Sequence, residues 1–169
     1  MRPSEKDYAP SYKVYIDKIK GDDVNDILQE QLKSFSDFFK TVTEDKGNYS
    51  YAEGKWSVNE VLGHIMDTER VFAYRALCIA RKEKQSLPGM EQDDYVKEGN
   101  FNKRGLKDLV NEFTLVRKAN LALFNSFSED ELNSRGIASD NEVTVRALIF
   151  IIAGHAMHHI TVLKEKYGV

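Results

Sequence analysis

With 169 residues, 41% of them hydrophobic and 30% charged, the chain has the length of one domain and the composition of a soluble globular protein. A formal net charge of −3 and a pI near 5.8 give no support for nucleic-acid binding, which carries a basic excess. Cys78 is the only cysteine, so no intrachain disulfide forms and a cytoplasmic setting is expected; residues 1–7 lack an apolar signal core, and the apolar run at 147–154 is far short of the roughly 20 residues of a membrane span.

Residues 1–22 hold Pro3, Pro10 and Gly21, with Tyr8, Tyr12 and Tyr15 between them. This reads as an extended N-terminal arm with one short helix over 11–19, docked on the body by its aromatics, and a tyrosine here is a candidate to line a site. Over 23–42, Val24, Ile27, Leu28, Leu32, Phe35, Phe38, Phe39 and Val42 recur at three- and four-residue steps. That spacing predicts an amphipathic first helix, capped by Asp22 or Asp23. After a loop, Ser57 and Glu60 form a capping box, and Trp56 ahead of it can staple on Val61. The second helix, about 57–81, has a buried stripe of Val58, Val61, Leu62, Ile65, Phe72, Ala76, Ile79 and Ala80. His64 lies at the edge of that stripe, and two polar residues, Glu69 and Arg75, fall inside it.

Residues 86–104 contain Pro88-Gly89, Asp93-Asp94 and Gly99-Asn100 without a sustained period. So long a connection invites a crossover or a site-covering role. The third helix, about 103–127, turns Leu106, Leu109, Val110, Phe113, Val116, Ala119, Leu123 and Phe124 inward. Residues 128–132 read as a one-turn helix start and 133–141 as loop. Thr144 caps the fourth helix, 145–167, which Gly168 ends. This helix is apolar on every side over 147–153, so it is expected to be the most buried element. No strand-like alternation persists. The expected fold is all-α: a single domain over 1–169, a four-helix bundle with an N-terminal arm and a long connection between helices two and three.

The chain has four histidines, and three of them fall in Gly154-His155-Ala156-Met157-His158-His159. At about 100° per residue, His155 and His159 share a helix face with Leu148, Ile152, Val162 and Leu163, so both imidazoles point into apolar surroundings. Core histidines can be satisfied by carbonyls or hydroxyls. Two imidazoles one turn apart, with His64 on a partner helix, favour instead a three-histidine metal site. Neutral imidazole suits Zn²⁺, Ni²⁺, Fe²⁺ or Cu²⁺, and three protein ligands leave a position for water or substrate. His158 sits about 100° from His159 and is assigned to packing, a subunit contact or the surroundings of the ligands. Glu69 and Arg75 read as a buried ion pair, with each other or with other helices. The sharper reading makes Glu69 a partner orienting an imidazole, or a general base. There is no P-loop, no dinucleotide glycine fingerprint, no Gly-x-Ser-x-Gly, no His-Glu-x-x-His and no Glu-x-x-His.

Taken together, Trp56-Ser57-x-x-Glu60-Val61-Leu62-Gly63-His64 and Gly154-His155-x-x-His158-His159 resemble the DinB-like, or YfiT-like, superfamily of metal-dependent enzymes. The Leu87-Pro88-Gly89 connection and the Glu69-Arg70 and Arg75 positions extend the resemblance over nearly the whole length. It implies an up-down-down-up four-helix bundle, a divalent metal, zinc or nickel, on His64, His155 and His159, and a homodimer. It also implies a small-molecule substrate, with activity as a hydrolase or as an S-transferase using a low-molecular-weight thiol. The thiolate of such a cofactor is the reactive form, and metal coordination favours it. No residue matches a thiol pocket, and a non-catalytic metal-binding bundle is the alternative.

Overall fold

The long helices begin where the sequence supplies a side chain for their free first-turn N–H groups. In the computed structural model, which describes residues 1–169, helix α2 (Val24–Thr41) is capped by Asp23, whose carboxylate accepts from the backbone of Asn25 and Asp26. Helix α3 (Val58–Ala80) opens on the Ser57–Glu60 capping box, and helix α7 (Val145–Val162) on the Thr144 hydroxyl. α7 runs on through a π-helical turn, Leu163–Tyr167, to Gly168 in the left-handed region. The fourth long helix, α5 (Leu106–Asn125), starts after Gly105, where the carboxylate of Glu44 accepts from the Leu106 N–H instead of a local cap.

Hydrogen bonds between helix ends fix the direction of each helix. The Ser57 hydroxyl reaches Asn102, and Asn59 donates to the Arg104 carbonyl, so α3 and α5 start at the same end and run parallel. The Asn59 N–H meets the Gly47 carbonyl, just beyond α2, and the Tyr167 hydroxyl donates to the Trp56 carbonyl, just before α3. Helices α2 and α7 therefore run against α3 and α5, giving an up-down-down-up bundle. A parallel α3–α5 pair requires the chain to return along the bundle, about 35 Å for the 23 residues of α3. That return explains the long connection after α3.

The return is more ordered than the sequence suggested. It contains helix α4 (Gln92–Gly99), closed by Asn100 in the left-handed region, and a 3-10 turn, Phe101–Lys103. Residues 133–141 are not a plain loop either. After the capped turn α6 (Glu129–Leu132), strands β1 (Arg135–Ala138) and β2 (Asn141–Thr144) form an antiparallel hairpin pairing Ala138 with Asn141. Ser139 and Asp140 both have positive φ, as a two-residue hairpin turn requires. Leu87 from the return pairs beside Ala138, so the hairpin anchors the connection to the bundle.

The N-terminal arm carries a 3-10 turn (Pro10–Tyr12) and a short helix, α1 (Lys13–Ile16), which packs against α7. This contact depends on Gly154: a Cβ there would lie 2.1 Å from the Tyr15 carbonyl oxygen. Gly154→Ala should lift the arm and cost about 1–3 kcal/mol, the usual range for overpacking. Thermal melts and limited proteolysis check it, and an unchanged melting point with an arm no easier to cleave would contradict it.

Two apolar clusters make up the core. One surrounds the first half of α7 with the arm and the second half of α3; the other joins the first halves of α3 and α5 to Ala156 and Ile160 of α7 and Leu163 of its terminal turn. Between them lies a polar layer to which every long helix contributes. Arg117 of α5, fully buried, makes a two-pronged ion pair with Glu69 of α3, both N–O distances 2.8 Å. Arg117 also donates to the side chain of Gln31 on α2, and Gln31 donates to the Ala153 carbonyl of α7. α7 with its terminal turn has the length and apolarity of a membrane span, but 67% of its most apolar window is buried, which accounts for its composition.

Candidate metal centre

Because α3 and α7 are antiparallel, the start of one meets the end of the other. There His64, in the second turn of α3, faces His155 and His159 of α7. The Nε2 atoms of His64 and His155 are 2.9 Å apart, those of His155 and His159 are 3.1 Å apart, and the three ligand atoms all lie within 4.8 Å of one another. Two imidazole nitrogens on one ion at 2.0–2.1 Å would stand about 2.9–3.4 Å apart, from octahedral to tetrahedral angles. Both measured separations fall in that interval.

Burial sets the protonation state. His64 and His155 are buried and His159 is half-buried. Desolvation pushes His64 down to about 4 and His159 to about 3, the latter helped by His64 and His158; it also holds His155 well below the ordinary value. All three rings are therefore neutral at pH 7. Hydrogen bonding alone cannot serve this cluster. A neutral ring nitrogen either donates one proton or accepts at one lone pair, yet the His155 Nε2 faces two others. A cation accepts all three lone pairs together, so the donor set fits a divalent ion.

Aromatic side chains wall the histidines. The Trp56 ring is 4.8 Å from His64, and Tyr15 stands edge-on to His155 and His158 at 5.3 and 5.7 Å. Beside His159 opens a cavity of about 390 Å³, lined by Tyr51, Trp56, Val61, Val162 and Tyr167 as well as His158 and His159. Lys55 and Asp93 are its charged lining residues. Burial, with Tyr51 and Glu60 nearby, raises Tyr167 to about 12, so its hydroxyl stays protonated and keeps donating to the Trp56 carbonyl at 2.6 Å.

The model of the DinB superfamily matches residues 27–163, a stretch that contains α3, α5 and α7, all but the first three residues of α2, and all three histidines of the cluster. The chain belongs to the DinB superfamily. Among solved structures it is similar to YfiT from Bacillus subtilis, described as a probable metal-dependent hydrolase with an unusual four-helix bundle topology: TM-score 0.73 at 14% identity, over 99% of this chain and 94% of that one. It is similar also to a mycothiol-dependent maleylpyruvate isomerase, TM-score 0.66 at 11% identity, over 86% of this chain and 61% of that one. A DinB-like protein of Bacillus subtilis, YjoA, gives 0.59 at 19% identity, over 83% and 85%. At these identities the likeness is one of fold. No curated protein matches by sequence.

Within this DinB fold the remaining sequence candidates separate. His158 lies off the cluster, its Nδ1 buried without a partner and its ring on the cavity wall. Glu69 is not beside an imidazole: its two oxygens are engaged by Arg117 and Asn120, and five residues at about 100° turn it about 140° away from His64. It can neither orient a histidine nor take a proton at the site. Nor does it pair with Arg75; its partner is Arg117. The arm does supply a site tyrosine, Tyr15. Sequence reading missed Tyr51, Lys55, Asp93 and Tyr167 as cavity residues, since none belongs to an apolar period that points anywhere.

The depressed imidazoles make acid destabilising for the metal-free DinB bundle. Unfolded histidine takes a proton near 6.5, but folded His64 does so only near 4 and His159 near 3, so below 6.5 the unfolded chain binds more protons. Stability should be complete above that pH and fall steadily as the folded values are approached. Urea midpoints from about pH 8 to about pH 4 test this, with His64→Leu flattening the slope. A wild-type slope that His64→Leu leaves unchanged would count against buried neutral imidazoles.

Proposed function

We propose that this protein is a metal-dependent enzyme acting on a small molecule, with a divalent ion held by His64, His155 and His159 at the side of the aromatic cavity. The observation that carries the reading is the convergence of three neutral imidazoles, two buried and one half-buried, with the His155 Nε2 at 2.9 and 3.1 Å from the other two, next to an open cavity. A purely structural ion would be closed off by a fourth protein ligand, and no cysteine or carboxylate joins the three histidines. A bound divalent ion supplies Lewis-acid chemistry, lowering the pKa of a coordinated water or thiol so that the nucleophile forms at neutral pH.

The chain's own residues do the rest. Trp56 and Tyr15 shield the imidazoles from bulk water, which strengthens electrostatic interactions at the site. Tyr51, Trp56 and Tyr167 offer flat apolar walls for the body of a substrate, and Lys55 offers a cation for an anionic substituent. Asp93 is the one carboxylate lining the cavity.

Metal analysis of protein purified without a histidine tag, followed by assays against small electrophiles with and without low-molecular-weight thiols, tests the proposal. A stoichiometric metal content and metal-dependent turnover are expected. Turnover only with thiol assigns S-transfer; turnover without it assigns hydrolysis. Protein that binds no metal under replete conditions ends the reading.

A further inference from the structure

A second cavity, of about 300 Å³, lies under the returning connection, walled by Val71, Tyr74, Leu87, Pro88 and Tyr95, with two arginines, Arg70 and Arg75, at its lining. Its size is at the lower end for small-ligand sites. Eleven residues of helix separate Arg75 from His64, about 16 Å along α3, so this is a different place from the histidine cluster. Helix α4 stands between the two cavities, with Asp93 lining one and Tyr95 the other.

Arg75 is a buried cation without a counter-ion. It is only 3% exposed, and it takes part in none of the chain's ion pairs, whereas Arg70 beside it is matched by Asp67 and Glu112. The Arg75 Nη2 donates to the Pro88 carbonyl at 2.5 Å and the Ser139 hydroxyl at 3.0 Å, and the guanidinium lies over the Phe72 ring. Those contacts are to neutral groups; they fix the guanidinium in position without cancelling its charge. The Arg75 Nε is buried with no acceptor at all. Arg75 makes no ion pair with a carboxylate, its interacting titratable neighbours being the phenols of Tyr12 and Tyr95, and burial lowers its pKa from the ordinary value. A buried unpaired charge is costly, and an anion arriving from solution would relieve that cost.

We propose that this cavity binds a small carboxylate with an apolar or aromatic body, the carboxylate meeting Arg75 and the body lying between Tyr74, Tyr95 and Leu87. Arginine is suited to a carboxylate because its donors are fixed in one plane, and the mostly apolar walls favour an organic acid over a bare inorganic anion. The site is independent of any reaction at the histidines.

Calorimetric titration with phenylacetate, phenylacetamide and inorganic phosphate tests it. Phenylacetate should bind saturably, at least tenfold more tightly than the neutral amide or phosphate. Arg75→Met should abolish that binding while unfolding at the same urea concentration as wild type or a higher one, because it removes a buried charge that lacks a partner. Tyr74→Ala, at a half-exposed wall position, should keep the fold and weaken phenylacetate severalfold. A carboxylate could also ligate an ion at the histidines, so the titration is repeated on His155→Ala, where phenylacetate binding should persist. Equal affinity for acid and amide, no saturable binding of either, binding lost in His155→Ala but kept in Arg75→Met, or an Arg75→Met variant that unfolds far more easily than wild type would each overturn the proposal.

Discussion

Glu69→Ala is expected to destabilise the protein by about 3–5 kcal/mol, the cost of leaving a buried charge unpaired. Arg117 is fully buried, and once the carboxylate is gone its guanidinium keeps hydrogen bonds only to Gln31 and the distant Leu28 carbonyl, with the Phe113 ring beside it. Typical domain stabilities are about 5–15 kcal/mol, so this one change would remove a large share of the total. Replacing both partners with apolar residues, Glu69→Leu with Arg117→Met, should recover most of the loss, because the desolvation cost disappears along with the pair. Urea unfolding of the two single variants and the double variant forms a double-mutant cycle, and the coupling should be several kcal/mol. Single variants within about 1 kcal/mol of wild type would mean that the ion pair is solvated and that the layer is not dry.

That layer shows where the sequence was opaque. On α5 the buried residues are Leu106, Leu109, Phe113, Arg117, Leu121 and Phe124, an unbroken three- and four-residue period with arginine at one step. Reading only apolar residues as inward moves the stripe sideways, onto Val116, Ala119 and Leu123, of which Ala119 is exposed. Gln31 hides in the same way on α2, whereas Glu69 on α3 reads from the sequence as half of a buried ion pair; a polar residue at a core step of three successive helices is itself a legible signal. The hairpin escaped for another reason. Its strands are four residues each, and its turn is Ser139-Asp140, where the usual glycine that advertises two positive φ values is absent. Helix α4 buries one residue, Val96, and so has no period to read. The four long helices were legible because each buries a full stripe and three have a side-chain cap. The histidine cluster was legible because one-turn spacing is a local property, and the capping box fixed where His64 falls on its helix.

Removing metal is expected to lower the melting temperature of the wild type by about 8–16 °C, and to leave His155→Leu unmoved. An ion present at about a thousand times its dissociation constant contributes about 4.1 kcal/mol. For a domain of this size each kcal/mol is worth about 2–4 °C. The sign without metal is the more telling half. In the metal-free protein His155 is a neutral, buried polar ring whose Nε2 is crowded by two other imidazoles, and leucine there buries apolar surface and leaves no polar group unsatisfied. Chelated wild type should therefore be no more stable than chelated His155→Leu, while in metal the order reverses. His158→Leu should keep the wild-type response, because its ring stands on the cavity wall outside the cluster. Melts in metal and in chelator on these three proteins distinguish a ligand from a core histidine. If His155 were merely packed, chelator would shift none of them, and His155→Leu would differ from wild type by the same amount in both conditions.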